Sequence, residues 1–161
     1  MKNKKIILKL YQSMIRTRMV EEEISKEYTK WKMRCPVHLS IGQEAIPSLL
    51  SLLSNKNDKV FSTHRNHHHY LAFEGNLENM FREMMGKANS SSGGRGGSMH
   101  LFDKKSQHFL SLPIVGSSIP IGVGSAYHSK HFKKNFLSYI FLGDATVEEG
   151  VFHESLNFAS L

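Results

Sequence analysis

An α/β fold with a parallel sheet and flanking helices is the architecture this sequence predicts, and three observations predict it. A long amphipathic stretch without Gly or Pro opens the chain, a short extended piece follows at 59–63, and the run Phe136-Leu-Ser-Tyr-Ile-Phe-Leu142 is apolar, aromatic and short, as a buried parallel strand should be. Helix, strand, loop and helix then alternate along the chain, the pattern of α/β proteins. The 161 residues are 40% hydrophobic and 22% charged, an ordinary globular composition. A chain of this length buries roughly 70% of its unfolded surface, enough for one core without staples.

Each element has a local reason. From Ile6 to Trp31, Ile7, Leu10, Met14, Val20, Ile24, Tyr28 and Trp31 recur mostly three or four residues apart, which predicts one long helix with that stripe inward. Cys35-Pro36 stops it. Ser40-Ile-Gly-Gln43 has the spacing of a capping box, and Ala45, Ile46, Leu49, Leu50, Leu52 and Leu53 supply a second helix for burial, with Pro47 tolerated near its start. Asn76 caps a third helix, Leu77 to Met85, closed by Gly86. Residues 87–98, with four Gly and four Ser, predict a mobile loop. Residues 112–126 predict a turn and then a helix whose Gly122, Gly124, Ser125 and Ala126 admit a close neighbour. Thr146 to Leu161 restarts a helical pattern with Val151, Leu156 and Phe158 inward.

Charge divides the chain. The net charge is +7, yet residues 1–35 carry ten Lys/Arg against four Glu, while residues 142–161 carry Asp144, Glu148, Glu149 and Glu154 and no Lys or Arg. A basic front raises nucleic acid as a partner, and a basic helical nucleic-acid-binding module is the competing reading from another class. The basic residues, however, sit at helical spacing with few aromatics between them, the pattern of a solvated face or one that meets an acidic partner. One cysteine, Cys35, excludes an intrachain disulfide and favours a reducing, cytoplasmic setting, with a packed thiol as its simplest role. No apolar run approaches the ~18 residues of a membrane span. The chain start lacks the apolar region of a signal peptide, so export and insertion are not expected.

Several motifs are excluded by reading residues off. No G-x-x-x-x-G-K-[ST] and no complete G-x-G-x-x-G is present, and no G-x-S-x-G elbow. His153-Glu154 begins like a zinc-protease helix, but Asn157 stands where the second His belongs. What remains is Asp144, after the strand-like run. In open α/β sheets ligands bind beyond the carboxyl ends of strands, where a carboxylate can reach a cation. Magnesium takes one or two carboxylates plus phosphate oxygens and water, so Asp144 needs a phosphorylated ligand nearby. His64, Arg65 and His67 could cradle such an anion, Arg through its planar fork and His through a ring N–H. The bland alternatives are a helix cap or turn for Asp144 and a hydrated polar loop for His64–His69. The four His there could also form a metal tract, although His67, His68 and His69 cannot all face one point.

Five segments in order carry a resemblance: Cys35-Pro-Val-His-Leu-Ser-Ile-Gly-Gln-Glu-Ala45, Thr63-His-Arg-Asn-His67, Gly94-Arg-Gly-Gly-Ser-Met-His100, Ile114-Val-Gly116 through Gly122-Val-Gly124, and Gly143-Asp144. Together they resemble the alpha subunit of the thiamine-diphosphate-dependent 2-oxo acid dehydrogenases, the pyruvate, branched-chain and acetoin group, over about residues 10–161. The resemblance implies a thiamine-diphosphate-binding fold, with residues 1–161 the amino-terminal part of a single domain that is incomplete at its C-terminus. It implies thiamine diphosphate and Mg2+ as cofactors, with the diphosphate contacted by His64, Arg65 and His67 and approached closely at Gly143, Asp144 and Ala145. Asp144 would bind the magnesium, and the backbone of Ile114, Val115 and Gly116 would meet the aminopyrimidine ring.

The implied reaction is oxidative decarboxylation of a 2-oxo acid with acyl transfer to a lipoyl group, or acetoin cleavage as the alternative. His38 would lie in the substrate channel and handle protons or charge during acyl transfer; read without the resemblance, His38 only caps or packs beside the helix near Gln43. The implied partners are a beta subunit, which supplies the acid that activates the pyrimidine, and a lipoyl-bearing acyltransferase. Three positions depart from the pattern. Ala145 follows Asp144 where Gly is usual, which restricts positive φ. His68 stands where Gly is common. The Asn that closes the metal motif lies further along than Leu161, and a chain without it is expected to be inactive alone.

Overall fold

The central strand of the sheet is Lys59–Ser62 (β1), and its position follows from its side chains: Val60, Phe61 and Ser62 are all buried. In this computed structural model, which describes residues 2–161, His108–Ser111 (β2) and Ser138–Ile140 (β3) flank it in the order β2-β1-β3. Both pairings are parallel, with Phe61 opposite Leu110 on one side and Ile140 on the other. The buried Asp58 carboxylate fixes the start of this register, accepting from the backbone N–H of Asn55 and of Leu137, each at 2.8 Å. The remaining elements are the helices Lys2–Tyr28 (α1), Ala45–Leu53 (α2), His67–Ala72 (α3), Leu77–Met84 (α4), Ser118–His131 (α5) and Gly150–Ser160 (α6), with a 3-10 turn at Asp144–Glu148. The α/β class with a parallel sheet and flanking helices stands.

The core divides into two clusters joined by α3. Ile24, Met33, Tyr70, Leu71, Met80, Met84 and Leu101 form one, between α1, α3 and α4, and Val60, Ala72 and Phe73 form the other against the sheet. The predicted third helix is found as α4, with the Asn76 side chain accepting from the Asn79 N–H at 2.8 Å and Gly86 turning the chain at φ 69°. In α5, Gly122 is required by contact, since a Cβ there would lie 2.4 Å from Ile140 Cγ1; Gly124 meets nothing within 4 Å. Close packing on the sheet is therefore confined to Gly122.

Other expectations are corrected. α1 ends at Tyr28, and Trp31 adopts φ 57°, outside a helix, with 88% of its surface exposed. Ile7 and Tyr28 are exposed as well, and the buried face of α1 is Thr17, Glu21 and Ile24, because only that face meets α2 and α3. The capping box does not form. Buried Ser40 donates its backbone N–H to Glu21 Oε2 at 2.6 Å instead, and α2 starts only at Ala45. Within α2 the buried residues are Pro47 and Ser48, while Ile46, Leu49 and Leu53 face outward. The strand read at 136–142 is three residues long and half-buried, since it forms a sheet edge. α6 starts at Gly150 and buries Ser155, leaving Leu156 and Phe158 exposed, because it packs chiefly on α5 and the 3-10 turn, with Val151 against Gly116.

The Gly/Ser run at 87–98 is folded around a carboxylate. Glu83, fully buried on α4, accepts from Ser90 Oγ at 2.6 Å and from the N–H groups of Ser92, Gly94, Gly96 and Gly97. Burial pushes its pKa up, but the Ser90 hydroxyl and these backbone donors outweigh burial and hold it below the usual carboxylate value. Gly94 turns there at φ 74° so close to Gly86 that a Cβ would lie 2.3 Å from its carbonyl carbon.

Candidate functional site

The carboxyl ends of β1 and β3 are neighbours, and the strand that follows β1 in the chain, β2, lies on the side of it away from β3. A crevice at such a place is where open α/β sheets take ligands. Here it is a cleft of about 770 Å³, with Thr63, His64, Arg65, His68 and His69 on the β1 side, Phe141 to Thr146 on the β3 side, and Gly42, Gln43 and Ala45 to Pro47 at the rim. Two further hollows, one on the Gly/Ser loop and one between α4 and Asp103, touch neither strand end.

Arg65 is aimed by its own surroundings. Its Nη1 donates to the Leu39 carbonyl and its backbone N–H to Thr63 Oγ1 at 3.3 Å, leaving the other guanidinium donors for the cleft. His64 stands edge-on to His38, ring centroids 5.0 Å apart, and its buried Nδ1 has no partner. Burial, with the charges of His38 and Arg65, lowers the His64 pKa. His38 packs behind His64, half-buried, and is not part of the cleft lining.

The run His67-His68-His69 is a buried helix, so both the hydrated loop and the metal tract are set aside. Among the described residues no group of three or more metal-ligating side chains converges. His67 is corrected: it points away from the cleft, with Nδ1 2.6 Å from Glu21 Oε1 and Nε2 2.7 Å from Ser98 Oγ, and it is fully buried. Its role is to tie α3 to α1 and to the Gly/Ser loop. His69 pairs its Nδ1 with Ser62 Oγ at 2.7 Å. Only His68 of the three presents an unpaired ring to the cleft.

On the opposite wall, Asp144 is exposed, opens the 3-10 turn, and has no hydrogen-bond or salt-bridge partner among the described residues. Gly143 is extended at φ −78°, so nothing in the backbone demands glycine there. Ala145 lines the cleft within the 3-10 turn and is not among the positive-φ residues, so its methyl group brings no strain. Of Ile114, Val115 and Gly116, only Val115 reaches the cleft; Ile114 is 73% exposed and Gly116 is buried against Val151.

Sequence reading missed Glu21 and Glu83, the two buried carboxylates that fix the β1 wall. Glu21 holds His67 with one oxygen and the Ser40 N–H with the other, so a single side chain joins α3 to the segment whose Leu39 carbonyl receives Arg65. Glu21 lies within a Glu-Glu-Glu run that reads as a solvated face, and nothing local marks it.

Fold and cleft together define an α/β protein with a guanidinium and a carboxylate facing each other beyond the ends of two parallel strands. The family described as "Dehydrogenase E1 component" matches residues 11–161, and the chain belongs to it. The pyruvate dehydrogenase E1 component subunit alpha of Rickettsia prowazekii is 36% identical over 154 residues, 96% of this chain and 47% of that protein. The chloroplastic subunit alpha-3 of Arabidopsis thaliana is 35% identical over 160 residues, 96% of this chain and 37% of that protein. The mitochondrial subunit alpha of Solanum tuberosum is 31% identical over 157 residues, 98% of this chain and 40% of that protein. The chain spans about half the length, or less, of these relatives.

Proposed function

We propose that this chain forms the cofactor-diphosphate side of an alpha subunit of a thiamine-diphosphate-dependent 2-oxo acid dehydrogenase, as the amino-terminal part of a single domain. The observation that carries the reading is the placement of Arg65 and Asp144 on facing walls of one cleft, in a member of this family. The residues fit a diphosphate: Arg65 retains free donors, and the buried Nδ1 atoms of His64 and His68 lack partners. They fit magnesium in part, since Asp144 is a single carboxylate and the remaining ligands must come from the phosphate, water or residues beyond this set.

Thiamine diphosphate, when bound, supplies the electron sink for decarboxylation. Arg65 would neutralise its anionic end, His64 would meet it as an uncharged ring, and Asp144 would hold the metal. The Glu21–His67 contact keeps the Arg65 segment in place. His38, one ring behind His64, is positioned to hold or pass a proton at the cleft's edge. A beta subunit completes the site, the substrate is a 2-oxo acid, and the acyl group leaves on the lipoyl group of an acyltransferase.

Calorimetric titration with thiamine diphosphate and magnesium, beta subunit present, tests the reading. Arg65→Ala is expected to weaken binding by at least about tenfold, the loss of a charge-assisted contact. Asp144→Ala is expected to abolish the dependence on magnesium. Unchanged affinity in both variants overturns the proposal.

A further inference from the structure

His68 is one of three imidazoles on the cleft wall, with His64 and His69. It is 4% exposed, lies on the cleft wall three residues after Arg65, and neither ring nitrogen has a hydrogen-bond partner among the described residues. Of the other histidines of α3, His67 is paired through both nitrogens and His69 through Nδ1 on Ser62. His108 also carries an orphaned Nδ1, but it is fully buried beneath the sheet edge with Nε2 on Ser111, and no cleft reaches it. A buried imidazole left unpaired is costly, so an unpaired ring on the cleft wall points to a partner that arrives in the cleft.

The ring's orientation is set before any ligand arrives. His68 packs on His69 with centroids 3.8 Å apart and planes tilted by 38°, and His69 packs on Phe141 at 3.9 Å with a tilt of 31°, so three rings are in contact across the strand ends. Burial, then the charge of His67, lowers the His68 pKa to about 3. Near neutral pH the ring is therefore uncharged and carries one N–H donor. The ligand that meets it must also satisfy Arg65, whose side chain offers only donors, so its polar edge consists of acceptor oxygens.

We infer that His68 contacts the ligand directly, donating a hydrogen bond to an oxygen of the diphosphate that Arg65 holds. This rests on the diphosphate reading of the cleft, and it assigns a contact that the family resemblance does not supply, since that pattern favours Gly at this position. His68 adds a neutral donor on a fixed ring to an otherwise cationic cradle, with little entropy lost on binding.

Inorganic pyrophosphate with magnesium is the probe, titrated into wild type, His68→Phe, His68→Asn and Arg65→Ala while the histidine ring 15N resonances are followed. His68→Phe keeps the stacked ring and removes the donor, and its affinity should fall about tenfold, the value of one hydrogen bond. His68→Asn places an amide near the Nδ1 position and should recover most of that loss. In wild type the His68 ring nitrogens should shift on saturation. If Arg65→Ala weakens binding and His68→Phe does not, this inference falls while the diphosphate reading stands. If neither variant changes affinity, both fall. Should His68→Phe fail to fold, the wild-type 15N shift decides alone, and an unmoved His68 ring overturns the inference.

Discussion

The wall of the cleft that carries His64, Arg65 and His68 is locked from behind by buried hydrogen bonds, whereas the facing wall presents Asp144 on a 3-10 turn with no partner on its carboxylate among the described residues. Behind the first wall sit Glu21, which joins His67 to the Ser40 N–H, and Glu83, which collects donors of the Gly/Ser loop, both fully buried. Behind the second, β3 is a half-buried edge and α6 exposes Leu156 and Phe158. The contrast separates two ways of building a site. A cationic wall must hold flexible donors in one geometry, and buried acceptors do that. Under the proposed reading a carboxylate that is to meet a metal must keep its oxygens free, and a satisfied Asp144 would be a poor ligand.

Acid should act on the first wall and gives the largest expected effect. His68 and His108 are held down to about 3, and His69 well below its ordinary value, in each case chiefly by burial. Unfolded, each takes a proton near 6.5, so the unfolded state binds more protons than the folded one below that pH. Stability present above 6.5 is therefore lost as pH falls from 6.5 toward about 3. The loss should be on the order of 1–2 kcal/mol for each imidazole by pH 5. Glu83 joins only lower, since its folded pKa lies beneath 4.5. Urea unfolding at pH 7 and pH 5 measures this, and equal midpoints would show that these rings are accessible to protons in the folded state.

Removing an anchor comes next. Glu83→Ala strands the backbone N–H groups of Ser92, Gly96 and Gly97, while the Ser90 hydroxyl keeps the Lys87 carbonyl and the Gly94 N–H keeps Ser90 Oγ. A loss of ~3 kcal/mol in unfolding free energy is expected, with Glu83→Gln recovering part of it. Hydrogen exchange should show the loop amides losing protection ahead of the sheet; uniform protection would mean that Glu83 is not their acceptor. A smaller pair of opposite signs separates the two glycines of α5. Gly122→Val should cost roughly 2 kcal/mol by overpacking on Ile140, while Gly124→Ala should gain up to ~1 kcal/mol of helix propensity in open space. A matching sign for both in thermal melts would remove the close contact between α5 and β3.

What the sequence disclosed follows from how far each signal reaches. Asn76 and Gly86 bound α4 by chemistry within a few residues, and both were legible. Arg65 and Asp144 share a cleft because both follow strand ends, a rule that needs only the strands to be recognised. His67 was misassigned because adjacency to Arg65 suggested a shared role, while its real partners, Glu21 and Ser98, lie 46 and 31 residues away. The same distance problem hid the Gly/Ser loop's anchor: nothing inside residues 87–98 says that a carboxylate on α4 will collect its amides. Amphipathic spacing misled for α2 and α6, since periodicity states which residues share a face and not whether another element covers it.

Asp144→Asn is the smallest effect on stability and the sharpest separation of the two walls. The carboxylate is exposed and without a partner, so its neutral isostere should change unfolding free energy by less than about 0.5 kcal/mol. The same substitution should remove the gain in pyrophosphate affinity that magnesium brings, leaving the metal-free affinity set by Arg65 intact. Titrations with and without magnesium separate the two terms. If Asp144→Asn destabilises the fold by more than 1 kcal/mol while magnesium still strengthens binding, the carboxylate is a structural cap of the 3-10 turn, and the two walls differ in packing alone rather than in task.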